Sequence, residues 1–358
     1  MIKLSAVIPC FNEKIEDLQV TVAMLSACEP GLHEIVVVDD CTDRYDVREV
    51  LSSFPWVTVV VNESQVGAGP SKAHGTDMAF QTGADAAVQL DAHMRIPFKF
   101  VEMIRTAVKL YPTSIFCTCC RGFNTLEGSF LACGADFRRT AHVKQCDLWL
   151  EKNWIDRGPV EVIDRCPSIL GACYVIPKDV WEPLGGLNPN FFGWGSEEDD
   201  LSIRSWMYGF EVRRINGLVV PHRFKREMKG YFYNSWEPYF NNLVMAATVF
   251  EDGVFEELFE PFMRQGYPKE SIDRFDVFRT EIESFRSEVQ SARVFSDKEL
   301  NYLCGLQLPT RRQQEDCYDR WLARRRDEEG PDPLPVQSVE FGDITELEFK
   351  NQYLGEPV

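Results

Sequence analysis

No run of eighteen apolar residues, about the length a membrane-crossing helix needs, occurs in this 358-residue chain. The N-terminus lacks the charged-then-apolar pattern of a secretory signal, because Met1-Ile2-Lys3 leads straight into an apolar segment. These two absences predict a cytoplasmic chain with no membrane partner. Positive charge is scarce: 38 lysines and arginines face 56 acids, for a net charge of −18. Residues 227–358 alone carry 27 acids and 15 bases. A broad nucleic-acid interface needs clustered positive charge, so the balance weighs against that class. Local basic patches stand at Arg223 to Lys229 and at Arg324 to Arg326. Internal repeats are missing. So is a second cysteine pair at zinc-site spacing to match Cys117 and Cys120, and the 12 cysteines are expected to be reduced. Several lie in apolar runs, where a free thiol packs as a small hydrophobe. Gly67-Ala68-Gly69 lacks the third glycine of a dinucleotide-binding turn and carries Pro70, which rejects that reading.

What the chain has is alternation. Leu4–Ile8, Glu34–Val38, Val57–Val61 and Ala87–Leu90 are short apolar runs closed by turn residues. Between them Ile15–Cys28, Asp43–Leu51 and Ser71–Thr82 show helical spacing, and Phe98–Leu110 follows. Further strands are expected at Ser114–Thr118, Gly171–Pro177, Phe210–Ile215 and Leu218–Val220, with short helices at Lys178–Leu184 and Leu201–Tyr208. The pattern predicts an α/β fold: a Rossmann-like, mostly parallel central sheet with helices on both faces. From about Ser235 the spacing is helical, apart from a proline-rich break at 330–335. Two parts are therefore expected, 1–226 and an acidic, mostly helical extension over 227–358 that packs beside the acceptor face. Ligands of such sheets bind at the carboxyl ends of strands. Asp39, Asp40, Asp91 and His93 fall there.

Asp91-Ala92-His93 is the stretch with the most chemistry. In an extended segment residues i and i+2 point the same way, so a carboxylate and an imidazole would face one ion. That mixed set suits Mn²⁺ or another first-row ion better than Ca²⁺. Downstream, Trp194 stands between two glycines, and Ser196-Glu197-Glu198-Asp199-Asp200 opens a helix. Ser196 and Asp199 have capping-box spacing, which accounts for one or two of the four acids.

Five segments occur in order: Pro9 with Phe11-Asn12-Glu13, Val38-Asp39-Asp40, Leu90 to His93, Gly193-Trp194-Gly195-Ser196-Glu197, and His222-Arg223-Phe224-Lys225. Together, over roughly residues 4–226, they resemble the GT-A-fold glycosyltransferases. The likeness is to the polypeptide N-acetylgalactosaminyltransferases, and around Trp194–Asp200 also to the beta-1,4-galactosyltransferases. The resemblance implies a UDP-sugar donor and Mn²⁺, with Mg²⁺ as the alternative ion. It implies Asp91, His93 and His222 as ligands on the diphosphate, and Asp39 or Asp40 at the nucleoside. Pro9, Phe11, Glu13 and Lys72 would help bind donor, Trp194 would stack on the sugar as part of a lid, and Arg223 or Lys225 would add a cation. Glu197, Glu198 and Asp199 would be the catalytic acids. Two features depart from the family. Lys72 and His74 stand where it usually carries arginines, and residues 227–358 show no trefoil repeat.

Three functions follow. The first is a metal-dependent transferase moving a GalNAc, GlcNAc, Gal or Glc residue from UDP to a protein or glycan hydroxyl, with retention of configuration favoured and Glu197 positioning sugar or acceptor. Under inversion, Glu198 or Asp199 would be the base. The second has a hydroxymethylated DNA base as acceptor, which the basic cluster after His222 permits. The third is a non-catalytic sugar-nucleotide binder.

Overall fold

The computed structural model describes residues 1–28, 31–123, 131–137, 153–154, 162–224, 234, 236–306, 308, 310–312 and 315. Trp149, Lys225, Arg226, Lys229, Arg324 to Arg326, the proline-rich break and the tail lie outside them.

Mostly apolar runs, β-branched in β2 and β3, make the first four strands: β1 (Leu4–Cys10), β2 (Glu34–Asp39), β3 (Val57–Val61) and β4 (Ala86–Leu90). β1 pairs in parallel with β2 and β4, and β2 with β3. The intervening helices are α1 (Ile15–Ser26), α2 (Val47–Val50) and α3 (Ala68–Gln81), with α4 (Phe100–Leu110) after β4. Then come β5 (Ser114–Gly122), β6 (Leu131–Ala132), β7 (Ala135–Asp136), β8 (Asn153–Trp154), β9 (Ile163–Arg165) and β10 (Cys173–Pro177). α5 (Lys178–Leu184) and α6 (Glu197–Met207) lead to β11 (Glu211–His222). The main sheet runs β3-β2-β1-β4-β10-β5-β11-β9, with β6 beside β5 and β7-β8 apart. β10 is antiparallel to both its neighbours, and β11 is parallel to β5. Among the described residues five α-helices follow, α7 (Glu237–Val249), α8 (Glu260–Gly266), α9 (Lys269–Val277), α10 (Arg279–Ala292) and α11 (Asp297–Cys304), with a π-helical turn at Phe255–Phe259 leading into α8.

Alternation along the strands divides the core between the two faces of the sheet. Ala6, Ile8, Ile35 and Val37 pack with Leu18, Val22 and Ile104 under α1 and α4. Val7, Val36 and Val38 belong to the other face, which α3 and α6 cover. On that side Tyr174, Trp206 and Val212 share one buried cluster with Phe240, Leu243, Phe275 and Val289 of the C-terminal helices. Among the described residues no helix is long and apolar enough to cross a membrane.

Several boundaries differ from expectation for local reasons. α3 starts at Ala68 because Pro70 falls in its first turn, where a missing N–H costs nothing. α2 is a single turn, its N-terminus held by the Asp46 carboxylate, which accepts from the Arg48 and Glu49 N–H groups. β11 is one strand, not two, with a register shift between Ile215 and Val219.

Candidate metal and donor site

β4 ends at Leu90, and Asp91 to His93 leave it as a turn. The expectation of an extended Asp-x-His is corrected: the turn, not the strand pleat, brings the two side chains together. The segment after β4 then crosses that end of the sheet to the end of β11. Met94 forms an antiparallel bridge with His222, Arg95 N–H donates to Pro221 O and Arg223 N–H to His93 O. His222 Nε2 lies 3.0 Å from Asp91 Oδ2 and 3.1 Å from His93 Nε2, while His93 Nε2 is 3.9 Å from Asp91 Oδ2.

Three Lewis bases thus converge. Adjacent ligands at bonds of about 2.1 Å and right angles sit about 3.0 Å apart, so two of these separations already match a coordination sphere. On its other side His93 Nδ1 is 3.2 Å from the Glu13 carboxylate. A hydrogen donated there leaves Nε2 with its lone pair toward Asp91 and His222, the outer-shell arrangement that orients a ligating imidazole. The set fits a divalent ion. Burial raises the Asp91 pKa, but the His222 hydrogen bond and the nearby charges of His93, His222 and Lys72 outweigh it and hold the carboxyl well below the usual range. Among the described residues this is the one such cluster of ligand-type side chains. Cys117 and Cys120 are buried thiols of β5, neither of them in a disulfide.

One face of α1 and its approach holds this turn. Asp17 and Thr21 follow Glu13 at helical spacing, and all three are buried. The Asp17 carboxylate pairs with Arg95 at 2.9 Å and Arg223 at 3.1 Å, and both guanidinium groups stand over the Phe123 ring. Thr21 Oγ1 accepts from Met94 N–H and lies 2.8 Å from Ala92 O. Arg223, expected at the donor diphosphate, is therefore ion-paired with Asp17, and its expected alternative Lys225 lies outside the described residues. Sequence reasoning missed Asp17 and Thr21. Their signal is polar side chains four residues apart on a face that must be buried.

Beside the triad is a cleft lined by Pro9, Phe11, Glu13, Asp40, Gly67 and Trp194. Trp194 is 44% exposed at this cleft and not a core residue. Asp40 is buried and accepts from Asn62 Nδ2, Val66 N–H and Gly67 N–H, so it shapes the loop before α3. Asp39 accepts from Thr42 N–H. Lys72 is buried over the Tyr174 ring and pairs with Glu198 at 3.2 Å. Burial would lower its pKa, but Tyr174, Glu198, Asp91 and Glu197 raise it well above the ordinary value.

The acids opening α6 are all engaged. Glu197 accepts from Gly195 N–H at 2.9 Å and packs where a side chain on Gly69 would stand. Burial and the Glu198 charge push its pKa up to about 7, against Lys72 and the Gly195 N–H. Asp199 accepts from Ser168 Oγ, and Asp200 is buried against Arg204. The capping box expected at Ser196 does not form. Ser196 sits at φ +69° with no side-chain cap, since the turn after Gly195 places it in the left-handed region.

Two family models match the chain: "Glycosyl transferase family 2" over residues 5–133 and "N-terminal domain of galactosyltransferase" over 159–227. With the sheet, the Asp-His-His cluster and the cleft, they give the chain a GT-A fold that resembles the glycosyltransferases. Its resemblance is to the polypeptide N-acetylgalactosaminyltransferases. Polypeptide N-acetylgalactosaminyltransferase 16 of Mus musculus is 27% identical over 258 residues, 69% of this chain and 45% of that protein. Polypeptide N-acetylgalactosaminyltransferase 5 of the same species is 26% identical over 268 residues, 71% of this chain and 28% of that protein. The chain thus spans less than half the length of either. The crystal structure of GalNAc-T7 with UDP, GalNAc and Mn²⁺ superposes with a TM-score of 0.66 at 18% identity, covering 86% of this chain and 58% of that one. At that identity the likeness concerns the fold.

Proposed function

We propose that the protein transfers a hexosyl or N-acetylhexosaminyl group from a UDP-sugar to a hydroxyl of a protein or glycan, using a divalent ion, Mn²⁺ before Mg²⁺. The observation that carries this reading is the convergence of Asp91 Oδ2, His93 Nε2 and His222 Nε2 beside the cleft, with Glu13 behind His93. Two imidazoles favour Mn²⁺ over Mg²⁺. Held by Asp91, His93 and His222, such an ion would supply positive charge to offset that of the diphosphate leaving group. Pro9, Phe11 and Asp40 line the nucleoside end with Asp39 nearby, Trp194 covers the sugar, and Lys72 places a buried cation between Asp91 and the α6 acids. Residues 1–226 carry this site, and the described helices of 227–358 share its core. We place the protein in the cytoplasm.

Retention is supported by the state of the acids. Glu197, Glu198 and Asp199 are tied respectively to Gly195, Lys72 and Ser168, so Glu197 acts as a positioning group and deprotonation of the acceptor falls to the donor phosphate on the same face. NMR of the first-formed product tests this: a beta linkage from an alpha-linked donor would make Glu198 or Asp199 the base. The experiment that tests the whole reading is slow hydrolysis of a UDP-sugar panel with Mn²⁺ and no acceptor. Full turnover in EDTA would overturn the metal assignment, and tight binding without turnover of any donor would favour the non-catalytic binder.

A further inference from the structure

The loop Phe191 to Ser196 puts Trp194 at the cleft, and α7 holds that loop from behind. Asn241 of α7 is fully buried. It accepts from Phe192 N–H at 2.9 Å and donates to the carbonyls of Phe192 at 2.7 Å and Gly195 at 3.0 Å. Its amide is committed to loop backbone. At the first turn of α7, Glu237 takes the Trp194 N–H and the Asn234 side chain. A methyl on Gly193, which sits at φ +57°, would overlap the Glu237 carboxylate. The Phe192 ring lies on Trp236, Phe240 and Phe278 at centroid distances of 5.9, 5.2 and 5.3 Å. On its opposite side the loop meets the start of α3, where Gly69 N–H reaches Gly193 O at 3.4 Å. Trp194 is the exposed member of an otherwise clamped segment.

We propose that Asn241 and Glu237 are positioning residues for donor binding: through the Phe191–Ser196 backbone they set where Trp194 stands over a nucleotide sugar. This rests on the donor reading above. Neither side chain touches the metal-ligand triad, so the assignment separates two affinities that general damage to the fold would lower together. Asn241→Asp keeps the acceptor for Phe192 N–H but loses both donations and turns carboxylate oxygen toward carbonyl oxygen, while Asn241→Ala removes all three bonds. Leaving such buried groups unmatched is expected to weaken UDP-N-acetylgalactosamine binding about tenfold.

The test is calorimetry of Mn²⁺ alone and of UDP-N-acetylgalactosamine with Mn²⁺, on the full chain and its variants, with amide exchange at Phe192. Expected are faster exchange of the Phe192 amide in Asn241→Ala, which loses its acceptor, donor affinity down about tenfold, Mn²⁺ affinity within about twofold, and no further donor loss when Asn241→Asp is added to Trp194→Ala. Parallel loss of Mn²⁺ and donor affinity, unchanged donor affinity, or additive loss in the Trp194→Ala background would overturn the proposal. Should Asn241→Ala fail to fold, Glu237→Gln carries the same test with a smaller expected loss. A wild-type chain that binds no UDP-sugar defeats the donor reading itself. Wild-type binding that both Asn241 variants retain defeats only the positioning role.

Discussion

His93 is gripped from both ends: Glu13 at Nδ1, and Asp91 and His222 around Nε2. Asp91→Ala, His93→Ala and His222→Ala should each abolish Mn²⁺-dependent UDP-sugar binding and leave the circular dichroism spectrum unchanged. Their losses should be non-additive, since all three act on one ion. Wild-type metal affinity in the His222 variant would refute the triad. Glu13→Gln keeps the shape but not the charge, and calorimetry should find Mn²⁺ affinity lower by about 10- to 100-fold. Glu197 gives a different signature. Its carboxyl rises from an ordinary 4.5 to about 7 on folding, so across that window the folded chain holds a proton the unfolded chain has lost. Stability from this group is therefore present below pH 4.5 and lost as pH rises through 7. Glu197→Gln should remove the decline, gaining up to ~3 kcal/mol on wild type between about pH 5 and pH 8 in urea titrations.

At the scale of elements, α1 is a rack for the turn after β4. Glu13, just before the helix, and Asp17 and Thr21 on one of its faces hold His93, the Arg95–Arg223 pair and the Met94 backbone. Asp17→Ala leaves two arginines facing each other over Phe123. Both guanidinium groups are partly solvated, which tempers the cost, so a loss of ~1–3 kcal/mol is expected by urea denaturation. Because Arg95 and Arg223 flank the two histidines in sequence, Mn²⁺ affinity should fall as well. A variant with wild-type metal binding would confine Asp17 to stability.

For the whole molecule the question is whether 1–235 is a unit. The cluster beneath α3 and α6 is completed by Phe240, Leu243, Val244 and Val249 of α7, all fully buried. Exposing four such side chains costs ~1.5–3 kcal/mol each, together as much as a domain's usual net stability of ~5–15 kcal/mol. A chain cut after residue 235 should therefore lack a cooperative melting transition. A sharp transition in that fragment would mean α7 is dispensable to the core.

Local sequence determined a good deal. Val36 to Val38 are apolar at every position and Ala87 to Leu90 at all but Gln89, and only a strand covered on both faces buries them all, so the parallel α/β core was legible. Asp91, His93 and His222 were singled out by their place in an ordered set of family-like motifs, not by side-chain type alone, and the fold brings the three together. The C-terminal helices were legible as helices, since periodicity is local. What only tertiary structure decided is orientation and partnership. Asp91 and His93 converge through a turn because the chain must cross to β11, and no residue within it announces that crossing. Arg223 looked like a diphosphate cation until Asp17, about two hundred residues earlier in the chain, claimed it through a helix face. Ser196 had a cap's spacing, but the Gly195 turn put its backbone in the left-handed region. Asn241 bears no motif at all: an asparagine becomes a loop clamp only when folding carries three backbone groups to its amide.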